Sequence, residues 1–436
     1  MNHRTAPVLL LCLLSFTATA TADENNWPQW RGPEGSGKTR SIASVTEWDT
    51  ETNLKWRSLL PEAGNSTPVV WGDRIFLTQP LAETKERAML CLNRETGQEL
   101  WRKGVVYTET EPTHKTNPFC SASPVTDGEC VIAWLGSAGL VCWDFDGEEL
   151  WRRELGSQRH MWGYGSSPIL HDDLCIVNFG PGEREFLIAV NKNTGETVWQ
   201  VDSLTDETER ALSGPENDGN ANEFQSDKDR RDRLRGSWNT PILTQVDGRH
   251  ELVVALPRRI SAFAPESGKL LWTCGGGAPL AYASVVEHEG VIVALGGYNG
   301  ASMAIRGGGS GDVTKTHRLW HKSRDNGWLG TGVAEDGSVY VCDMGGVLHC
   351  LEVSSGEIQW KSRVEGGGTW SSITQTSDGL MHLSTKSGST TVFRPNPEQF
   401  DEVAVNELNE TTNASVVIAG GEVFIRTDDA LWCFAK

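Results

Sequence analysis

The chain has 436 residues, with 18 tryptophans, 47 glycines and a formal net charge of -19. A strongly negative chain repels the phosphate backbone of nucleic acids, and no basic stripe with interleaved aromatic residues offsets this charge, so we expect no nucleic-acid partner. Most apolar runs are short and lie between clusters of Gly, Asp and Asn, which favours β-strands over helices.

The first residues have the features of a secretory signal peptide. Two basic residues precede the apolar run of residues 8–16, and two Ala-Thr-Ala triplets follow it. The run is too short to span a bilayer, so we expect residues 1–22 to be cleaved near Ala20 or Ala22. Cys12 lies inside the apolar run without a small residue before it, which disfavours a lipoprotein. The sequence therefore predicts an exported protein, periplasmic or extracellular, with no transmembrane span.

A phrase in which tryptophan follows glycine by four positions recurs through the rest of the chain. Its copies are residues 97–101, 147–151, 195–199, 268–272 and 356–360. A degenerate copy, "THRLW", ends at Trp320, and Trp56 in "LKWRSLL" has the ending without the turn. Each full copy follows or continues a short apolar run, so the phrase predicts a hairpin whose glycine supplies a positive φ.

A second phrase, typified by "STPVV", "SSPIL" and "ASVV", begins each repeat unit. It occurs at residues 66–70, 122–125, 166–170, 239–243, 283–286, 331–333, 371–373 and 414–417. Each unit then carries four strands, A to D, over about 40–50 residues, which is the signature of a β-propeller. The sequence thus predicts an all-β chain in which residues 23–436 form one eight-bladed propeller.

The last unit ends after three strands, at "LWCFAK". We expect the N-terminal "LKWRSLL" to supply its outer strand, because joining the two chain ends in one sheet hides strand edges that would otherwise be exposed.

The pattern apolar-x-Asn/Asp-x-x-Thr/Ser-Gly-x-x-x-Trp resembles the tryptophan-docking repeat of quinoprotein-type propellers. That family includes the pyrroloquinoline quinone dehydrogenases and the outer-membrane assembly lipoprotein of the same fold. "WPQWRGPEGSG" at 27–37 resembles the opening of exported bacterial PQQ-binding-like repeat proteins, a subgroup familiar from planctomycetes. The resemblance implies that the repeated indoles pack between blades, and these docking residues are Trp56, Trp101, Trp151, Trp199, Trp272, Trp320 and Trp360.

The repeat is least regular on the face formed by the loops from strand D to the next strand A and from B to C. These loops surround the central funnel, and aromatic residues precede strand A in five consecutive units. Flat aromatic faces with a few polar groups suit sugars and quinones, although packing of the funnel mouth is the alternative. The candidate ligand-binding residues are Trp162, Tyr164, Trp238, Asn239, Arg258, Tyr282, Tyr298, Asn299, Asn326, Trp328 and Trp370.

An insertion and the cysteines complete the prediction. Residues 203–235 are charged and poor in apolar residues, which predicts a surface loop, with a short helix near residues 224–234 or a role as a lid as alternatives.

No Cys-x-x-Cys motif occurs, which excludes zinc and thioredoxin-type sites. We expect the nine cysteines after the signal peptide to be small buried strand residues rather than disulfides.

Two functions remain open. The quinoprotein dehydrogenases that the chain resembles hold their cofactor beside a tryptophan floor and often a vicinal disulfide, with Glu, Asn and Asp at the calcium and the base. No Cys-Cys pair occurs here, and that Glu, Asn and Asp set cannot be matched motif by motif. We therefore predict a monomeric, non-catalytic exported propeller, without a metal site, that binds a protein or a small-molecule or carbohydrate ligand. The alternative is an oxidoreductase dependent on pyrroloquinoline quinone and calcium, with an atypical pocket.

Overall fold

A computed structural model describes residues 24–182, 184–202, 235–298 and 300–436. The predicted signal peptide, residues 203–234 of the insertion and Asn299 lie outside the described residues. Eight β-sheets form the blades of a propeller, which confirms the predicted fold class. Within the described ranges, helical structure is limited to a 3-10 turn at Gly136–Ala138, and no helix is long and apolar enough to cross a membrane.

Blades 1 to 4 each contain four antiparallel strands, named A to D from the axis outward. The strands are Val69–Trp71, Arg74–Leu81, Glu86–Asn93 and Glu99–Val106 in blade 1; Val125–Thr126, Val131–Trp134, Leu140–Trp143 and Glu149–Arg153 in blade 2; Ile169–His171, Leu174–Phe179, Phe186–Asn191 and Thr197–Asp202 in blade 3; and Ile242–Val246, Arg249–Leu256, Arg259–Phe263 and Leu270–Gly275 in blade 4.

Blades 5 to 8 repeat this arrangement. Their strands A to D are Val286–His288, Val291–Ala294, Ser302–Arg306 and Arg318–Lys322 in blade 5; Val333–Glu335, Ser338–Cys342, Val347–Glu352 and Ile358–Arg363 in blade 6; Thr374–Gln375, Met381–Ser384, Ser389–Arg394 and Asp401–Glu407 in blade 7; and Val417–Ala419, Glu422–Arg426, Ala430–Phe434 and Leu54–Leu59 in blade 8. Two short parallel pairs are added, Gly236–Ser237 with Leu280–Ala281 and Gly311–Asp312 with strand D of blade 4.

The two chain ends meet in blade 8, as predicted. Strand Leu54–Leu59 pairs antiparallel with Ala430–Phe434, and Trp56 lies opposite Cys433. The N-terminal strand therefore closes the ring and covers an edge that strand C of blade 8 would otherwise expose.

The D-strand indoles contact the C to D turn of the following blade. Trp199 is representative: its Nε1 donates to the Pro265 carbonyl at 2.8 Å, and a Cβ added to Gly268 would lie 2.6 Å from its ring. Gly268 has a φ of 67°, so the glycine both makes the turn and leaves room for the indole. Equivalent bonds to a backbone carbonyl of the next blade are made by Trp56, Trp101, Trp151, Trp320 and Trp360.

Trp272 departs from this pattern. Its Nε1 donates to Glu251 Oε2 of its own blade at 2.8 Å, and the indole is fully buried. The next C to D connection is the long Gly-rich turn after Arg306, whose Gly311 pairs with Trp272 instead of forming the usual tight turn. The degenerate repeat in the sequence therefore corresponds to a changed contact between blades 4 and 5.

The cysteines of the described part are all buried and unpaired. They are Cys91, Cys120, Cys130, Cys142, Cys175, Cys274, Cys342, Cys350 and Cys433. Most lie within strands, where a small apolar side chain fills the space between blades.

Candidate functional site

A ring of hydroxyl side chains, one from each blade, surrounds the propeller axis. The backbone N–H of each member donates to the hydroxyl oxygen of the member in the next blade, at distances from 2.9 to 3.3 Å, and the last bond returns to the first blade. The members of this hydroxyl ring are Thr67, Ser123, Ser167, Thr240, Ser284, Thr331, Ser372 and Ser415. The ring was not predicted from the sequence, although a Ser or Thr recurs at this position of the second phrase.

A cavity of about 320 Å³ lies on the axis, and seven members of the hydroxyl ring line it. The other lining residues come from the segments before strand A, from two B to C loops and from the N-terminal segment. The cavity thus occupies the predicted funnel. Of the candidate residues, the structure brings together here Trp162, Trp238, Tyr282, Tyr298 and Trp370.

Blades 3 to 5 contribute an aromatic wall, formed by Trp162, Trp238 and Tyr282. The ring centroid of Trp238 lies 5.9 Å from that of Trp162 and 4.8 Å from that of Tyr282. The Nε1 of Trp238 donates to the Gly163 carbonyl at 2.9 Å, which fixes the orientation of the indole. Burial raises the pKa of the Tyr282 hydroxyl, so this group is neutral at physiological pH. The wall therefore offers flat apolar surface without charge.

Blades 7, 8 and 1 contribute a polar wall, formed by Trp370, Asn413 and Asn65. The Nδ2 of Asn65 donates to the Thr116 carbonyl at 3.0 Å, whereas its Oδ1 is buried without a hydrogen-bond partner. Asn413 Oδ1 and Trp370 Nε1 are likewise buried without partners. The wall thus has two acceptors and one donor unused. Asn65 and Asn413 were missed from sequence because isolated asparagines in loops carry no distinctive pattern.

A cation contacts the tryptophan of the polar wall. Lys386 Nζ lies 4.5 Å from the centroid of the Trp370 ring, a cation–π distance. Burial lowers the pKa of this ammonium group.

The N-terminal segment forms the floor of the cavity. Trp27 exchanges two backbone hydrogen bonds with Val70, and the Pro28 carbonyl accepts from the N–H of Thr126 in blade 2. Three residues later, the Arg31 guanidinium donates to the carbonyls of blades 6 and 7, including that of Ile373 at 2.7 Å. Blades 2 and 6 are opposite each other in a ring of eight, so the segment crosses the axis.

The side chains of the floor divide between the cavity and the propeller core. Trp30 lines the cavity, and the buried guanidinium of Arg31 is held by backbone carbonyls beside it. Burial lowers the pKa of Arg31 to about 9, which leaves it charged at neutral pH. This gives the motif "WPQWRGPEGSG" a location: it lies at the ends of the inner strands that are remote from the funnel mouth.

Three candidate residues are buried structural groups that do not line the cavity. Tyr164 is 3% exposed, and its Oη accepts from the Cys120 N–H at 3.2 Å. Trp328 is fully buried in the core between blades 5 and 6, where it packs edge-on against His349. Asn239 is 1% exposed, and its Nδ2 donates to Ser237. An aromatic or amide before strand A therefore points inward in some blades and sideways in others.

The remaining candidates lie near the funnel face without lining the cavity. Arg258 occupies the B to C turn of blade 4 with a φ of 65°, and Asn326 is half-buried beside Asp325. Asn299 lies outside the described residues.

A buried carboxyl group also lies on this face, before strand C of blade 3. The side chain of Glu185 is buried, and the residue is 5% exposed, with the backbone of Gly182 beside its carboxyl group. Burial raises its pKa to about 7, an effect that the charges of Arg235 and Arg259 partly oppose. Glu185 does not line the cavity.

The donor set of the cavity does not suit calcium. Calcium takes carboxylate and carbonyl oxygens, and the described lining residues include no Asp or Glu. Within the described ranges, no group of three His, Cys, Asp or Glu side chains is placed to hold a metal ion. The described lining residues therefore do not fit the calcium of the alternative function.

Comparison with known proteins identifies the family. The profile described as outer membrane protein assembly factor BamB matches residues 39–179, 85–218, 183–326 and 258–393, which overlap along most of the chain. No curated protein matches the chain.

Solved structures share the fold at low sequence identity. A europium-containing methanol dehydrogenase is 11% identical, with a TM-score of 0.67, over 95% of this chain and 98% of its own. The quinohemoprotein alcohol dehydrogenase of Comamonas testosteroni is 13% identical, with a TM-score of 0.66, over 96% and 82%. BamB of Moraxella catarrhalis is 12% identical, with a TM-score of 0.57, over 88% and 97%. By its repeats, its fold and the profile match, the chain belongs to the PQQ-like propeller family described as outer membrane protein assembly factor BamB.

Proposed function

We propose that this protein is an exported, non-catalytic propeller that binds a ligand in its funnel. The observation that carries the proposal is the cavity itself, which combines an aromatic wall, a polar wall with unused hydrogen-bonding atoms and a floor. Pockets for small ligands are concave and largely apolar, with a few placed polar groups. Export is inferred from the predicted signal peptide at residues 1–22.

The chemistry of the lining favours binding over catalysis. A general acid, a general base or an activated nucleophile needs an ionisable group beside the reacting atoms. Among the described lining residues, the ionisable side chains are His114 and the tyrosines Tyr282 and Tyr298. His114 Nδ1 is engaged with Thr116 Oγ1 at 2.7 Å, and burial raises the pKa of Tyr282. Among these described lining residues, no carboxylate accompanies His114.

The mouth of the funnel is suited to a partner that extends beyond the cavity. Met161, Tyr298 and Met344 are 51%, 60% and 37% exposed on loops of this face. Exposed apolar side chains around a pocket favour contact with a larger ligand or with a protein. The family model is described as an assembly factor, which supports contact with a protein. In the proposed function, a scaffold role therefore uses the funnel face as well.

The test compares the double variant Trp162→Ala/Trp238→Ala with Trp71→Ala, which changes a partly buried tryptophan at the far end of an inner strand. We expect the low-molecular-mass fraction of a cell-envelope extract to raise the melting temperature of wild type and Trp71→Ala, but not of the double variant. We expect no substrate-linked dye reduction after addition of pyrroloquinoline quinone and calcium. Equal shifts in all three proteins, or no shift in any, would refute funnel binding. Dye reduction that is lost in the double variant would establish the oxidoreductase instead.

A further inference from the structure

The two walls of the cavity present different chemistry to the same ligand. The aromatic wall contains the rings of Trp162 and Tyr282, whose centroids are 6.4 Å apart. Trp238 of blade 4 contacts both rings. Indole and phenol faces pack well against flat apolar surfaces such as the C–H face of a sugar ring. One face of the ligand is therefore expected to be planar and apolar.

The polar wall requires a ligand that both donates and accepts hydrogen bonds. The Oδ1 atoms of Asn65 and Asn413 are unused acceptors, and Trp370 Nε1 is an unused donor. Buried polar atoms without partners are unfavourable, so a ligand gains affinity when small side-chain rotations bring these three atoms into contact with its polar groups. A hydroxyl group has one donor and two acceptor positions, and it can serve either kind of atom. Several hydroxyls on one edge of a flat ring match this wall.

The charge of the cavity disfavours an ionic ligand. The described lining residues include no Asp, Glu, Lys or Arg. Arg31 is buried at the floor with its guanidinium bound to backbone carbonyls, and Lys386 lies against the Trp370 ring. Neither cation lies on the cavity surface, so a carboxylate within the cavity would lose water without forming a direct ion pair, which is costly. The expected ligand is therefore uncharged.

The N-terminal segment that forms the floor limits how a chain-like ligand can enter the cavity. The segment from Pro28 to Arg31 crosses the axis from blade 2 to blade 6, and Trp30 lines the cavity above it. A polymer cannot thread through the propeller while this segment is in place. A chain must therefore enter by one end.

From these features we infer that the funnel binds the terminal residues of an uncharged saccharide chain, with the sugar ring against the aromatic wall and its hydroxyls toward Asn65, Asn413 and Trp370. The inference rests on the proposed binding function and adds the class of ligand. It also adds a mode of recognition, from the chain end.

The experiment is calorimetric titration of the mature protein with neutral gluco-, manno- and galacto-oligosaccharides. Uronic-acid oligomers and pyrroloquinoline quinone with calcium are the charged comparisons, and a cyclic glucan is compared with its linear equivalent. We expect at least one neutral linear oligosaccharide to bind and the cyclic form, which has no end, to fail. Affinity should fall at least tenfold in Trp162→Ala and in Asn413→Ala, and it should be unchanged in Trp71→Ala.

The outcomes separate this inference from the function on which it rests. Binding of only the charged titrants, lost in Trp162→Ala, would overturn the saccharide inference and leave funnel binding intact. Equal binding of cyclic and linear glucans would overturn recognition of a chain end. If no oligosaccharide binds, the inference fails, whereas the envelope-extract melting experiment still decides the proposed function independently.

Discussion

The two faces of the propeller use tryptophan in different ways. On the face of the C to D turns, the same contact recurs at five of the eight blade junctions: an indole lies on a glycine, and its Nε1 donates to a carbonyl of the next blade. On the funnel face, neighbouring blades place different residues at the cavity, such as Trp238 in blade 4 and Asn413 in blade 8. Repetition therefore builds the ring, and departures from repetition build the site.

Removing the N-terminal segment should have the largest effect. Deletion of residues 27–60 takes away the strand that closes blade 8 and the floor of the cavity. We expect loss of folding or aggregation, because a sheet edge becomes exposed. Size-exclusion chromatography and circular dichroism measure this, and a soluble monomer with unchanged strand content would contradict the closure.

A single docking tryptophan should be the next most costly loss. Trp199→Ala removes a buried ring and its bond to Pro265, and we expect it to lower the free energy of unfolding by roughly 3–5 kcal/mol. Val198→Ala is the matched control, since Val198 is 50% exposed on the same strand, and it should change stability by no more than about 1 kcal/mol. Equal effects in a denaturant titration would refute the structural role of the indole.

Ionisation of the buried Glu185 on the funnel face should reduce the stability of the folded protein. Its pKa is raised from 4.5 to about 7 by burial, so the folded state binds the proton more tightly than the unfolded state. Stability from this group is complete below pH 4.5 and falls as the pH rises to 7. We expect Glu185→Gln to gain about 1–3 kcal/mol near pH 8 and nothing near pH 4.

The neighbouring charges limit that gain, because Arg235 and Arg259 attract the ionised carboxylate. Denaturant titrations of both proteins across this pH range measure it. A parallel pH dependence in wild type and Glu185→Gln would exclude Glu185 as its source.

The smallest predicted difference separates turn geometry from docking. Gly268 and Gly248 both have a positive φ, but a Cβ at Gly268 would overlap the Trp199 ring, whereas nothing lies within 4 Å at Gly248. Both Gly→Ala changes strain the backbone, so their difference isolates the steric contact. We expect Gly268→Ala to cost about 1–2 kcal/mol more than Gly248→Ala. Equal costs would show that the glycine serves the turn alone.

The fold was predictable from the sequence because its contacts repeat. Eight copies of the second phrase and the partial unit at Trp56 were enough to predict eight blades and the closure of the ring, both of which the structure bears out. The Thr or Ser of that phrase also forms the hydroxyl ring, and its recurrence at one position in every unit is a signal present in the sequence.

The site was less predictable because the direction and the burial of each side chain are determined by the assembled ring of blades. Trp238 and Trp328 both precede a strand A, yet the first lines the cavity and the second packs against His349 in the core. Asn65 and Asn413 contribute only because blades 1 and 8 are neighbours in space. The floor at Trp30 depends on a segment without repeat character.

The most direct test of separate roles for the two faces measures stability and binding in the same pair of variants. Trp199→Ala should lose roughly 3–5 kcal/mol of stability and keep the affinity for the neutral oligosaccharide that wild type binds. Trp162→Ala should lose that affinity at least tenfold and retain most of its stability; Trp199→Phe replaces the first variant if it does not fold. Loss of affinity in the Trp199 variant with none in Trp162→Ala, measured by calorimetry below both melting temperatures, would contradict the account.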